Sequence, residues 1–382
     1  MSPFLTTLGG GSVRGFGRLY RAPATPAGMF GNNVYVFGYG GYGNLGLNNT
    51  SSYSSPVQVG SQSDGYTSAF SIGGLYATSL IKSNGSLYVA GANSYGQLGL
   101  GDTISRSSPT QVGSSTDWSS MFIGYTSAGI KTNGTLWGMG INNVGQLGLG
   151  DLTDRSSPTQ IGAAADWTSV TNGGGYYLGL RAGTLYAWGG NSLGQLGVGN
   201  TTSYSSPVQV GGASNWSSIS VGFAFQVSAG IRGGALYVWG YGGYGSGLND
   251  TTSRSSPTQV GADTNWSMVS TGYSTLAIKT NGTLWAYGSN AQGALGLGDT
   301  IDRSSPVQVG AGTTWLAASV GQANVLAIKT DGTLWAWGTN GYGELGLGDI
   351  TTRSSPVQVG SATNWIQCST GPFASSAVRA NV

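Results

Sequence analysis

Large apolar residues alternate with small or polar ones in short runs along most of this chain, and glycine, asparagine or aspartate closes each run. One complete unit can be followed from Trp315. Trp315-Leu-Ala-Ala-Ser-Val-Gly321 reads as a first strand and Val325-Leu-Ala-Ile-Lys-Thr330 as a second. Asp331-Gly332 matches the two-residue turn of tight hairpins, in which both central residues take φ > 0. Thr333-Leu-Trp-Ala-Trp337 follows as a third strand, its large residues alternating as a two-faced pleat requires. Gly343-Glu-Leu-Gly-Leu-Gly-Asp349 reads as a glycine-punctuated loop that pins two leucines. Pro356-Val-Gln-Val359 closes the unit as a short outer strand, where proline is tolerated at the start or on an edge.

The unit recurs. The string Ser-Ser-Pro-[Val/Thr]-Gln-[Val/Ile]-Gly places prolines at 56, 109, 158, 207, 257, 306 and 356, at spacings of 53, 49, 49, 50, 49 and 50. Four short strands in each unit of that length make a propeller blade. The predicted fold is all-β: a seven-bladed β-propeller of four-stranded blades spanning residues 31–382. Its closure is legible as well. After the last Ser-Ser-Pro the chain continues through Trp365-Ile-Gln-Cys-Ser-Thr-Gly371 and Ala377-Val-Arg379, the first two strands of a further unit. Its first strand, Val34-Tyr-Val-Phe37, starts at a third-strand position. The two halves are expected to form one composite blade from both termini, which removes two exposed sheet edges.

Composition narrows the function. Glycine is abundant at 70 residues, but 12 Trp, 20 Tyr and 9 Phe supply the apolar surface that disordered glycine-rich chains lack. Only 7% of residues are charged and the formal net charge is +2, too weak a field for binding driven by phosphate neutralisation, so no nucleic-acid partner is expected. Cys368 is the single cysteine, which excludes an internal disulfide. No apolar run approaches the ~20 residues that span a bilayer, and no signal-peptide pattern opens the chain, so synthesis in a cytoplasm without membrane insertion is expected.

Gly-Gln-Leu-Gly-Leu-Gly-Asp at 96–102 and 145–151, with Leu-Trp-Ala-Trp-Gly at 334–338, resembles the regulator of chromosome condensation repeat across residues 31–382. The fifth unit departs most, because Gly245-Ser-Gly-Leu248 lacks one leucine. Repeats of that family often carry a histidine near the second strand, whereas this chain has none.

Catalytic chemistry is not legible. Without histidine, the commonest general base and metal ligand is missing. Cys368 falls on a first strand and reads as a buried small hydrophobe. Lys82, Lys131, Arg181, Arg232, Lys279, Lys329 and Arg379 end the second strands and read as solvated hairpin ends, a ring of cations able to attract an anion at most. Asp102, Asp151, Asp299 and Asp349 follow the Leu-Gly-Leu-Gly string, where aspartate bonds its own turn backbone. One carboxylate per turn is too few for calcium, and no pair of acids falls outside the repeat. No enzyme activity, catalytic residue, metal site or cofactor is expected.

Aromatic loop residues are the remaining signal. Tyr76, Tyr125, Tyr176, Tyr177, Phe223, Phe225, Tyr273 and Phe373 fall between first and second strands, and Tyr42, Tyr95, Tyr244 and Tyr342 precede the Leu-Gly-Leu string. Aromatic, charge-poor loops suit a protein or glycan partner; the competing reading is that many of them fill gaps between blades. Residues 1–30 form a glycine-rich leader whose Phe4, Leu5, Arg14, Phe16 and Arg18 are candidate anchoring residues. The leader resembles N-terminal segments of bacteriophage virion proteins, tail fibres in particular. That resemblance implies a virion structural protein: a tail fibre, receptor-binding or decoration component. The leader would bind other virion proteins, the loops a host-surface glycan or protein, and the chain would form homo-oligomers within the particle. The alternative is a regulatory protein-binding propeller, like the nucleotide-exchange member of the repeat family or a propeller that inhibits an enzyme.

Overall fold

A computed structural model describes residues 32–381 apart from 62–64, 75–76, 223–225 and 244–245, with backbone alone for 67–74. Its 28 strands form seven four-stranded antiparallel sheets. Blades are numbered here by their Ser-Ser-Pro string, so blade 1 is the composite one. There Asn33–Gly38 pairs along its whole length with Ala374–Arg379, from Asn33 opposite Arg379 to Gly38 opposite Ala374. Trp365–Thr370 lies inside that pair and Tyr53–Gln58 outside it. The expected closure is the structure's closure.

First strands line the axis, because consecutive ones bond to one another around it. Ser220 and Thr271 hydroxyls lie 3.0 Å apart, those of Ser319 and Thr370 lie 2.9 Å apart, and the Val320 amide donates to Ser270 Oγ at 3.0 Å. The core sits between blades. Trp337 of blade 7, for example, packs with Leu284 and Leu295 of blade 6.

Two local expectations need correction. Only Gly332 of the Asp331-Gly332 turn takes φ > 0, at 76°. The Gly332 amide closes a turn onto the Lys329 carbonyl, and the Asp331 carboxylate accepts the Thr333 amide. The true two-residue turn occurs at Ala182-Gly183 (φ 44° and 81°) and Gly233-Gly234 (57° and 81°). The outer strand also starts earlier, at Arg353 rather than Pro356. Its pairing slips between Gly338 and Ala336, so the proline falls in a bulged stretch that needs no amide there.

Each long loop reaches onto the next blade. The Gly101 amide donates to Ser156 O at 2.8 Å, Gly150 to Ser205 O at 2.8 Å, and Gly348 of blade 7 to Ser54 O of blade 1 at 2.7 Å. The Ser-Ser-Pro string is thus the seat for the preceding blade's loop, a role that its regularity alone did not disclose.

Candidate protein-docking face

Strand order gives the molecule two faces. One carries the hairpins between second and third strands; the other carries the turns between first and second strands together with the long loops.

On the hairpin face the seven basic residues are neither solvated ends nor an open anion ring. Each is wedged between two rings of its own blade. Lys329 Nζ lies 4.9 Å from the Trp315 ring centroid and 3.7 Å from that of Trp335. Arg232 lies over Trp216 and Tyr237, and Arg379 over Tyr35 and Trp365. Asp117, Asp166 and Asp263 pair with Lys131, Arg181 and Lys279. These are pillars of the blade, each worth ~0.5–2 kcal/mol as a cation–π contact.

The long loops on the opposite face are held by a residue that sequence reading missed. Buried Asn93 donates from Nδ2 to Asp102 and Ile104 carbonyls at 3.0 and 3.2 Å, while its Oδ1 accepts the Leu98 amide at 2.9 Å. Asn142, Asn191, Asn290 and Asn340 repeat this pattern. Their constant place, sixteen residues before the Ser-Ser-Pro proline in five of the seven units, was the available signal. Asp102 accepts the Ile104 amide, as expected of its own turn, and also pairs with Arg106 at 2.6 Å. That backbone bond first, and the guanidinium second, hold its carboxyl below the usual range. Asp151, Asp250, Asp299 and Asp349 are paired with arginine in the same way, whereas Asp154 and Asp302 of these loops accept only a backbone amide.

The sequence-predicted aromatics divide. Tyr176 and Tyr177 are each 1% exposed and cannot meet a partner. Tyr176 Oη donates to Val227 O of blade 5, and Tyr177 stacks on Trp188 at 5.4 Å. The cause is that the second strand begins at Tyr176, which turns both rings into the gaps between blades. Tyr125, Tyr273 and Phe373 are half-exposed at turns around the axis. Tyr76, Phe223, Phe225 and Tyr244 lie outside the described residues, as do Phe4, Leu5, Arg14, Phe16 and Arg18.

One arc brings exposed rings together. Phe373 lies 5.6 Å from Tyr342, Tyr342 5.0 Å from Tyr39, and Tyr39 6.1 Å from Tyr42, all edge to face. Tyr95 and Tyr125 continue it at 5.7 Å. Burial first, then the neighbouring Tyr95 and Tyr42 hydroxyls, push the Tyr125 phenol above its ordinary value. Tyr42, Tyr95 and Tyr342 are 42–46% exposed. The arc thus crosses blades 7, 1, 2 and 3, including the seam where the termini meet.

Beneath it lies Glu344, fully buried, its carboxyl pushed up by burial. A raised carboxyl holds its proton more tightly in the folded chain than in the unfolded one. Stability is then complete at low pH and falls as pH rises from the ordinary carboxylate value through the raised one. Glu344→Gln is expected to melt with the wild type at pH 4 and about 1–2 °C above it at pH 8. Thermal melts at the two pH values check this; a variant less stable at pH 8 would contradict it.

Seven four-stranded blades with interlocking loops define a closed repeat propeller by class. The chain belongs to the Regulator of chromosome condensation (RCC1) repeat family, whose profile matches residues 32–76, 84–129, 133–180, 182–227, 281–328 and 331–378. The unmatched 228–280 includes the irregular Gly245–Leu248 loop. A 79-residue stretch is 37% identical to the human probable E3 ubiquitin-protein ligase HERC4, covering 21% of this chain and 8% of that protein. It is 34% identical over 79 residues to the Arabidopsis thaliana ultraviolet-B receptor UVR8, covering 21% of this chain and 18% of the receptor. Among solved structures, yeast RCC1 (Prp20) bound to Kap60 aligns at TM-score 0.81 and 15% identity, covering 100% of this chain and 96% of that one. Human WBSCR16 aligns at TM-score 0.79 and 18% identity, covering 91% and 98%. These identities carry the fold alone.

The family overturns the virion reading. The leader's likeness to tail-fibre segments rests on a short glycine-rich stretch, whereas the repeat likeness runs through six segments of the folded chain. The expected virion-protein and host-glycan partners, and a homo-oligomer within a particle, fall with it. Prp20p of Saccharomyces cerevisiae, which aligns at TM-score 0.80 and 16% identity, is itself described with binding properties to Gsp1p and histones.

Proposed function

We propose that this propeller is a regulatory protein-binding module, without catalytic activity of its own, that docks a partner protein on its aromatic face. The supporting observation is the arc from Phe373 to Tyr125. It joins aromatic rings in a surface where most rim aspartates are already paired with arginine, the composition favoured at the centre of protein interfaces. Family membership supports the same reading, since Prp20 has been solved with Kap60.

The test is photo-crosslinking. An amber-encoded crosslinker at Tyr42, Tyr95 or Tyr342 is expected to yield adducts with the same protein in extracts of the source cells. The same group at Ser83, on the hairpin face, is expected to yield none. Adducts at Ser83 alone would refute the assignment of the face.

A further inference from the structure

Blade 7 differs from the others at one chemical point of its loop. Where it has Glu344, blades 2, 3 and 4 have Gln97, Gln146 and Gln195. Each glutamine accepts, through Oε1, the amide two residues earlier, at 2.8–2.9 Å. Two of them also donate from Nε2: Gln146 to Asn143 Oδ1, and Gln195 to Gln226 Oε1 in the next blade's turn. Glu344 Oε2 reproduces the first bond, accepting the Tyr342 amide at 2.7 Å. Oε1 has no partner, although it is buried.

Its surroundings are set by the seam with blade 1. A Cβ on Gly38 would sit 3.2 Å from Glu344 Cα and 2.6 Å from the Phe373 carbonyl, and that carbonyl accepts the Tyr39 amide at 2.8 Å. Ser375 Oγ donates to the Glu344 carbonyl at 2.7 Å. The buried acid therefore lies against the same turn that carries Phe373 and Tyr39. At this seam the Tyr342 ring stands at 66° to Tyr39 and 77° to Phe373.

We propose that Glu344, Tyr342, Tyr39 and Phe373 form a recognition pocket for an ammonium group carried on a lysine side chain of the partner protein. This deepens the docking-face reading and rests on it. Aromatic faces attract cations through their quadrupole, and a buried carboxylate oxygen without a donor gains most from a positively charged one. Every ion pair among the described residues uses an aspartate, and none includes Glu344. The Tyr342 ring, steeply inclined to both Tyr39 and Phe373, suits a compact ammonium better than a guanidinium, which stacks flat on a single ring.

Short glycine-flanked peptides centred on lysine, trimethyllysine, arginine or norleucine, titrated into the full chain and followed by NMR, test this. Lysine or trimethyllysine is expected to bind most tightly, and which of the two leads tells an unmodified from a methylated source. Norleucine is expected not to bind. Glu344→Gln keeps the residue that other blades use at this position, so it should fold, and it is expected to weaken the ammonium peptides about tenfold. Tyr342→Ala should do the same, while Gln292→Ala, at the corresponding position of blade 6, should not. Equal binding by Glu344→Gln and wild type, or tightest binding of arginine or norleucine, overturns the pocket. Crosslinking at Tyr342 run alongside separates the two readings: adducts without peptide binding sink the pocket alone, and absence of adducts sinks the face.

Discussion

A chain ending at residue 364 is expected to aggregate and to lose its cooperative melting transition. The deletion removes Trp365–Thr370 and Ala374–Arg379, the two inner strands of blade 1. Asn33–Gly38 then loses its six-residue ladder, and the axis loses the strand to which Ser319 bonds. Buried Val34, Val36 and Phe37 lose the cover of the inner half of their blade. Two unpaired sheet edges in a charge-poor chain form a template for association. Circular dichroism melting and light scattering report the outcome. An unchanged, cooperative transition would show that the blade closes some other way.

Trp337→Ala is expected to cost about 3–5 kcal/mol, the range for a fully buried tryptophan. Trp337 has no exposure, and its indole N–H donates to the Ala294 carbonyl of the preceding blade at 2.9 Å. It also meets Trp315 edge-on at 5.9 Å. The approach depends on Gly296, whose φ is 69° and whose Cβ, if present, would stand 2.9 Å from the indole nitrogen. The change thus leaves a cavity between two blades and an unpaired carbonyl. Trp335→Ala, two residues away on the same face of the strand but only partly buried, is expected to cost about 1–2 kcal/mol, because it removes only one wall of the Lys329 sandwich. Denaturant unfolding of the two variants compares them directly. A loss under ~1 kcal/mol at Trp337 would mean that this ring faces solvent rather than the gap between blades.

Much of the fold was written in one dimension because a blade is a local object. The alternation in Thr333–Trp337, the turn at Asp331-Gly332 and the proline spacing each act within one unit, and short-range sterics decide them. The composite blade could be foreseen because a half unit at one terminus complements a half unit at the other. The candidate site was legible only in part. Tyr125, Tyr273 and Phe373 lie at the turns where sequence placed them, but Tyr176 and Tyr177 were drawn into the strand and buried. A shift of one or two residues in where a strand starts decides whether a ring faces water or the next blade.

By itself, then, the sequence determined seven units, their strand order, the closure across the termini and the absence of histidine chemistry, all properties of spacing and composition. Tertiary structure alone decided that Lys329 and its six counterparts lie between rings, that the serines before each proline seat the neighbouring loop, and that Glu344 lies at the seam against the turn of Phe373 and Tyr39. Each of these depends on how a strand, loop or blade is set against its neighbour, and two contacts, Gly348 on Ser54 and Glu344 against Gly38, cross the ring closure. No local pattern encodes the seam at Glu344; it exists only once the last blade has met the first.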